Sequence, residues 1–431
     1  MNATPNLSTL ADTLAGRAQG PAWLADYRTE ARRQLAQTRF PQRKTESWKY
    51  SSTHALAASG ALAAPAPVVA AELPADAVPA LDAWRLVVVN GVLDATQSTL
   101  PDDSSLIVST LSSLPAAEQA HVRTLLALGE AGRLPFAALN SAAFADGVYV
   151  RVAAGVAPTK PLHMVLHSTG AQPATVQLRV LVRLEPRAAL TLIEQYSGDG
   201  ADLYTNAVTT IELGRDAQLD LVRVQQEDHR QWFTGSLHVQ QQANSRCRAH
   251  LLMTGSRLKR NDITCVLAEP GAELTLAGAF LAGAGEHIDN QVCIEHAAPH
   301  ATSNQVFKGV VGGNGRAVFN GRIHIHPGAK QTSAELVNNN LLLSPDAEVD
   351  TKPELEIYND DVKCSHGATV GQINANAIYY LQSRGIAKAD AELMISLGFV
   401  NALVDALPAP ALADWLRASF ASWFAARGGR A

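Results

Sequence analysis

Cys364-Ser365-His366 sets a thiol and an imidazole two residues apart. In an extended strand, residues i and i+2 point to the same face. Both groups can then address one soft metal ion or one partner surface, because thiolate and imidazole suit first-row transition metals. One Cys and one His fall short of the roughly four ligands of a closed site. On spacing alone, a turn carrying a small buried Cys and a solvated His accounts for the run without any chemistry. His324-Ile325-His326 is a second handle of the same kind, although paired histidines also serve as surface or interface residues.

Other constellations carry less. Asp360-Asp361 near Lys363 imitates the paired carboxylates of glycosidic cleavage, but also reads as a turn. Asn140 and Asp146 flank a strand start, where capping and turn roles suffice. Lys308 to Gly315, KGVVGGNG, has the glycines of a phosphate loop but lacks the Gly-Lys-Ser/Thr ending that supplies the lysine and the magnesium hydroxyl. No such ending occurs anywhere in the chain, so the sequence excludes a P-loop ATPase and the glycines read as tight corners. Cys247, Cys265, Cys293 and Cys364 form no CxxC, which rules out a self-contained zinc finger or ferredoxin-like run. The roles of the first three are open.

These groups must be positioned by a chain of 431 residues, 47% hydrophobic and 17% charged, with net charge −5. The composition supports a large core and carries no basic footprint for nucleic acid. No apolar run reaches the ~20 residues of a membrane span. The first residues lack a basic stretch followed by an apolar one, so a cytoplasmic chain with free thiols is expected.

From about residue 160 a unit recurs: a turn residue, a small residue, then an alternating apolar strand. The small residues are Ala188, Ala217, Ser245, Ala272, Ala301 and Ala329, spaced 27–29 residues apart. An all-strand repeat of this length cannot bury its apolar face alone and must stack on its neighbours. The expected fold is mainly β: a right-handed parallel β-helix core with N-terminal and C-terminal α-helical regions. A β-sandwich is the alternative, but its hairpins need no fixed long period. If the register holds, Cys265 stacks on Cys293 and His296 on His324; a one-residue slip would turn either partner to the other face.

The boundaries follow. Residues 1–80 hold an N-terminal helical region and an Ala/Pro-rich connector. An amphipathic helix is expected over Pro21–Phe40, and Arg43 to Tyr50 reads as a segment whose aromatics dock on the body. Residues 81–160 are a mixed lead-in, with a strand turning at Asn90-Gly91 and a helix over Leu111–Leu128. Residues 161–371 form the β-helix, and 372–431 a helical domain. There one helix closes at Gly385, a second is capped by Asp390, and a third runs from Ala411 to Arg427. The third helix's stripe of Trp415, Phe420, Trp423 and Phe424 suits either a partner or packing on the last rung.

NNNLLLSPDAEVDTKPELEIYNDDVKCSHGATVG, followed by IYYLQSRGI and AELMISLGF, resembles the SufD family, a subunit of the SUF iron–sulfur cluster assembly machine. RKTESWKY and LNSAAFADGV resemble its other landmarks. The resemblance implies a non-enzymatic scaffold that pairs with SufB through the β-helix and docks the SufC ATPase by its C-terminal helices, with a homodimer possible in isolation. It implies that His366, with Cys364 beside it, offers ligands to a transient cluster that SufB completes at the interface. It also implies SufC docking at Ser383, Arg384, Gly385 and Ile386 and on through Met394 to Phe399. Whether a flavin contributes is open. The paralogous SufB-type scaffold and a polysaccharide-active β-helix enzyme are the alternatives.

Overall fold

The computed structural model describes residues 5–15, 20–69, 73, 79–101, 105–129, 134–200 and 202–426. From Val148–Val152 onward, strands that follow one another in the chain fall alternately into two sheets, one of ten strands and one of nine, hereafter the first and second sheets. From Leu162 to Gln372 every pairing within a sheet is parallel. Each turn of the coil thus lays one strand on each sheet, and the expected parallel β-helix is the fold. Strands from the lead-in extend both sheets at the start: Trp84–Val89 pairs with Leu162–Ser168, and Val148–Val152 with Ala174–Leu184. The Asn90-Gly91 hairpin forms, with both residues at positive φ.

The period has a physical cause at one set of corners. Arg187, Asp216, Asn244, Gly271, His300 and Gln331 adopt φ between 55° and 74°. This left-handed conformation turns the chain in one residue, and Asn, Asp, His and Gly tolerate it best. The next residue in each case is buried: Ala188, Ala217, Ser245, Ala272, Ala301 and Thr332. A side chain pointing into the corner meets the rung on either side, so only small residues fit. The sixth member corrects the sequence reading. Ala329 closes the local turn, its N–H donating to His326 O, but the ladder pairs Thr302 with Ser333 and so stacks Thr332 on Ala301.

Two stacking expectations fail for a related reason. Cys265 stands beside Ile294 and Cys293 beside Thr264; His296 stands beside Ile325 and His324 beside Glu295. The local turn is one residue longer than the spacing assumed, which moves each partner to the opposite face. The glycines of the phosphate-loop look-alike behave as expected at Gly312, Gly313 and Gly315, which form the corner before Arg316–Ile325. Gly309 is different: it lies within a strand, where a Cβ would sit 2.2 Å from the Phe280 ring. Lys308 of that run donates to Phe399 O at 2.7 Å and so ties a C-terminal helix to the coil.

The N-terminal region closes over the early rungs of the second sheet. Its helix is shorter than expected, a 3-10 turn at Ala22–Leu24 leading into Ala25–Leu35. Trp48 of the RKTESWKY segment is buried against Phe136, and the Arg260 guanidinium lies 4.0 Å from the centre of its ring. Arg260 also donates to Ser47 O and to Asp289, and Ser51 bonds Asp289 at 2.5 Å. The segment is therefore docked on the body as expected, through an aromatic and a buried ion pair. In the lead-in the Leu111–Leu128 expectation narrows to a helix over Ala116–Gly129. Asn140 lies on an unforeseen helix, Pro135–Ala143, and its amide bonds the carbonyls of Leu178 and Asn206. It joins the lead-in to the coil, and Asp146 accepts from Ser112 N.

At the other end, Ala375–Ser383, Lys388–Val404 and Pro410–Ala425 form three helices. Gly385 ends the first at φ 85°, with Ile386 N–H returning to Leu381 O. Asp390 is not the cap of the second helix; Ala387 is, and Asp390 sits in the first turn, where its charge favours the helix N-terminus. The stripe of the third helix, including Leu416, Phe420, Trp423 and Phe424, packs with Val400 and Val404 on the outer face of the first sheet, over Ile193, Val222, Leu252 and Leu281. It covers the side of the coil, not its last rung, and is spent on that contact. Gly428-Gly429 lie outside the described residues.

Candidate functional site

The coil's interior is built of columns, one residue per rung, because parallel pairing in register repeats the same inward position. One column of the first sheet reads Leu162, Leu192, Leu221, Ala249, Leu276, Gln305, Leu336 and then His366. The column two residues earlier runs from Leu190 and Leu219 through Cys247, Leu274, Ser303 and Ala334 to Cys364. The thiol and imidazole of the Cys-Ser-His run are thus the last members of two interior columns.

What distinguishes them is the missing next rung. Val362–Gln372 is the edge strand of the first sheet, and Glu348–Ile357 that of the second. Leu336 is fully buried, whereas His366 is exposed and Cys364 half-buried against the core. A Cβ added at Gly367 or Gly371 would meet nothing within 4 Å. Desolvation pushes the Cys364 thiol above its ordinary value, partly offset by a hydrogen bond with the Ala334 backbone. The thiol is therefore protonated near neutrality, and a metal ion must displace that proton to bind.

The edges carry devices against indiscriminate strand addition. Pro353 interrupts the donor row of one edge strand, and Lys352 and Lys363 charge the two edges. Exposed apolar side chains gather nearby in sequence: Ile357, Tyr358, Val370, Tyr379, Tyr380 and Met394. Asp360-Asp361 lie in a bend, in which Asp361 N–H donates to Asn359 Oδ1 at 3.0 Å.

The remaining expected residues divide. Ser383, Arg384 and Gly385 are exposed and Ile386 half-buried at the bend after the first C-terminal helix. Arg384 lies 5.3 Å from the centre of the Tyr380 ring. Met394 is 52% exposed on the second helix. Phe399, on the same helix, packs on the coil with Lys308 5.0 Å from its ring centre. Of the other thiols, Cys247 and Cys265 are buried in the interior; burial pushes Cys247 up to about 12. Cys293 faces outward and accepts from Arg322 at 3.2 Å. The sequence pairing of Cys265 with Cys293 hid this outward position, which only the register reveals.

Comparison with known proteins gives a consistent result. Residues 166–399 match the family model described as SUF system FeS cluster assembly, SufBD core domain, and residues 15–164 match the SufBD protein N-terminal region. The chain is 33% identical to the iron–sulfur cluster assembly protein SufD of Escherichia coli, over 87% of each chain. It is 29% identical to an iron–sulfur cluster assembly SufBD family protein of Synechocystis, over 91% of this chain and 90% of that one. A chloroplastic protein of Arabidopsis thaliana, ABCI7, is 25% identical over 95% of this chain and 88% of its own length.

Proposed function

The chain belongs to the SufD family of the SUF iron–sulfur cluster assembly system, and from that premise we propose that it is a non-ATPase scaffold subunit whose open coil end holds half of a cluster-assembly site. The observation that carries this is the ending of two interior columns in Cys364 and His366, where no further rung covers them. A paralogous SufB subunit adding to the two free edges would supply that rung and the missing ligands. Two ligands from this chain are too few to retain a cluster, which suits a scaffold that must release its product. Thiolate and imidazole bind iron in known clusters.

The C-terminal helices serve the second partner. Ser383, Arg384, Gly385, Ile386 and Met394 form the surface that receives the SufC ATPase, whose nucleotide site supplies the P-loop absent from this sequence. Because the same helices are packed along the first sheet, strain applied at the ATPase is passed to a stiff coil and on to its open end. Phe399 contributes by anchoring its helix to the coil.

The test is reconstitution. This chain is co-expressed with its SufB and SufC paralogues, purified without oxygen, and supplied with Fe²⁺ and sulfide. A cluster absorption spectrum on the wild-type complex and its loss with His366→Ala, at unchanged subunit stoichiometry, is expected. Equal cluster yield in that variant removes His366 from the site.

A further inference from the structure

Three half-buried side chains on the outer face of the second sheet have no part in this scheme: Glu295, His324 and His326. Glu295 and His324 are direct neighbours in the parallel ladder, and His326 follows two residues on, just past its strand. His326 Nε2 lies 3.4 Å from Glu295 Oε2. The two imidazole rings stack, with centroids 4.3 Å apart and planes 15° from parallel. One donor atom from each of the three lies within 4.8 Å of the others. We propose that Glu295, His324 and His326 form a binding site for a divalent first-row transition-metal ion, separate from the Cys364–His366 end of the coil.

The donor set selects the ion. Two neutral imidazoles and one carboxylate are the ligands of zinc and ferrous sites, whereas Mg²⁺ and Ca²⁺ favour oxygen. Ligands bonded to one ion at about 2.0–2.2 Å lie no more than roughly 4.4 Å apart. Closing on an ion therefore asks for shifts of about 1 Å together with rotation of the stacked rings, so that their in-plane lone pairs converge on one point, and solvent reaches all three groups. The backbone needs no rearrangement, since the ladder hydrogen bonds already fix Glu295 beside His324.

The surroundings fit. Glu356, from the edge strand, presents Oε2 4.0 Å from His324 Nδ1, on the side of His324 away from Glu295. A carboxylate behind a ligating imidazole fixes the ring and raises its basicity. The nearby cation, Arg322, is engaged by Cys293 Sγ at 3.2 Å and by Glu356 Oε1 at 3.4 Å. Three protein ligands leave further coordination positions to water, so the ion can exchange. The site stands whether or not the chain assembles clusters.

The experiment titrates Co²⁺ into the chelator-treated full chain and follows its visible ligand-field bands. Wild type and His366→Ala should bind with the same affinity and show no sulfur-to-cobalt charge transfer from this site. His326→Ala and Glu295→Gln should weaken binding beyond the about 10–100-fold typical of losing an outer-sphere partner. Melting curves without metal should coincide for all four proteins, with Zn²⁺ raising the melting temperature of wild type and His366→Ala only. Titrations of His326→Ala and Glu295→Gln that match wild type would overturn the site, as would loss of the bands in His366→Ala.

Discussion

Cys247 and Cys364 occupy the same interior column of the first sheet, separated by Leu274, Ser303 and Ala334. Cys247 is enclosed by rungs on both sides and its thiol is pushed up to about 12. Cys364 is half-buried because its strand, Val362–Gln372, is the edge of the first sheet. One position in the repeat thus makes an inert core residue inside the coil and an available thiol at its end. With iodoacetamide at about pH 9, above the ordinary thiol value, native protein should be alkylated at Cys364 and Cys293 first. Cys247 and Cys265 should react only after denaturation. Peptide mass spectrometry showing Cys247 modified as fast as Cys364 would contradict the enclosed column.

His366 should be dispensable for the fold. Its neighbour Leu336 is buried, but the His366 imidazole faces solvent and makes no hydrogen bond among the described residues. Substitutions at such positions usually change stability by no more than about 0.5 kcal/mol. His366→Ala should melt with wild type while the reconstituted complex loses its cluster. Leu336→Ala should do the reverse first, costing about 2–5 kcal/mol as a core truncation. Denaturant unfolding of the two variants separates ligand loss from core damage.

The C-terminal helices allow a similar division. Arg384→Glu and Met394→Glu alter exposed side chains and should weaken co-elution with the ATPase at unchanged melting temperature. Phe399→Ala removes a contact with the coil and with Lys308, and should lower stability by roughly 1–3 kcal/mol as a partly buried aromatic. Undiminished co-elution of Arg384→Glu, measured by gel filtration with the ATPase in slight excess, would show that docking lies elsewhere.

Much of this was legible in the sequence, for identifiable reasons. The corners impose a small buried residue once per turn, so the coil announces itself as a period at Ala188, Ala217, Ser245, Ala272 and Ala301. The Cys364–His366 pairing needs only the two-residue alternation of a strand. Register is different, because a corner lengthened by one residue leaves the period nearly intact but flips every neighbour. That is why the spacing pairs Cys265 and His296 with the wrong partners and does not join Glu295 to His324. The stripe of Trp423 and Phe424 declared an apolar face but not its partner, since period alone does not say which sheet a helix will cover.

Buried histidines should make the coil acid-sensitive. His163 donates from Nε2 to Gln195 Oε1 at 3.0 Å, and His296 Nε2 lies 2.9 Å from Ser303 Oγ. Burial lowers both imidazoles to about 4, against about 6.5 in an unfolded chain. Between those values the unfolded chain binds protons that the folded one refuses, so stability rises with pH. The folded state is therefore fully favoured above about pH 6.5 and loses stability as pH falls from there toward 4. Each histidine contributes on the order of 3 kcal/mol over that window. His163→Gln should retain a hydrogen bond to Gln195 and flatten the dependence by about half of the pair's share. Urea midpoints at a series of pH values from about 7 to 4.5 measure this directly. A His163→Gln curve parallel to wild type across that range would mean that the imidazole is protonated in the folded chain.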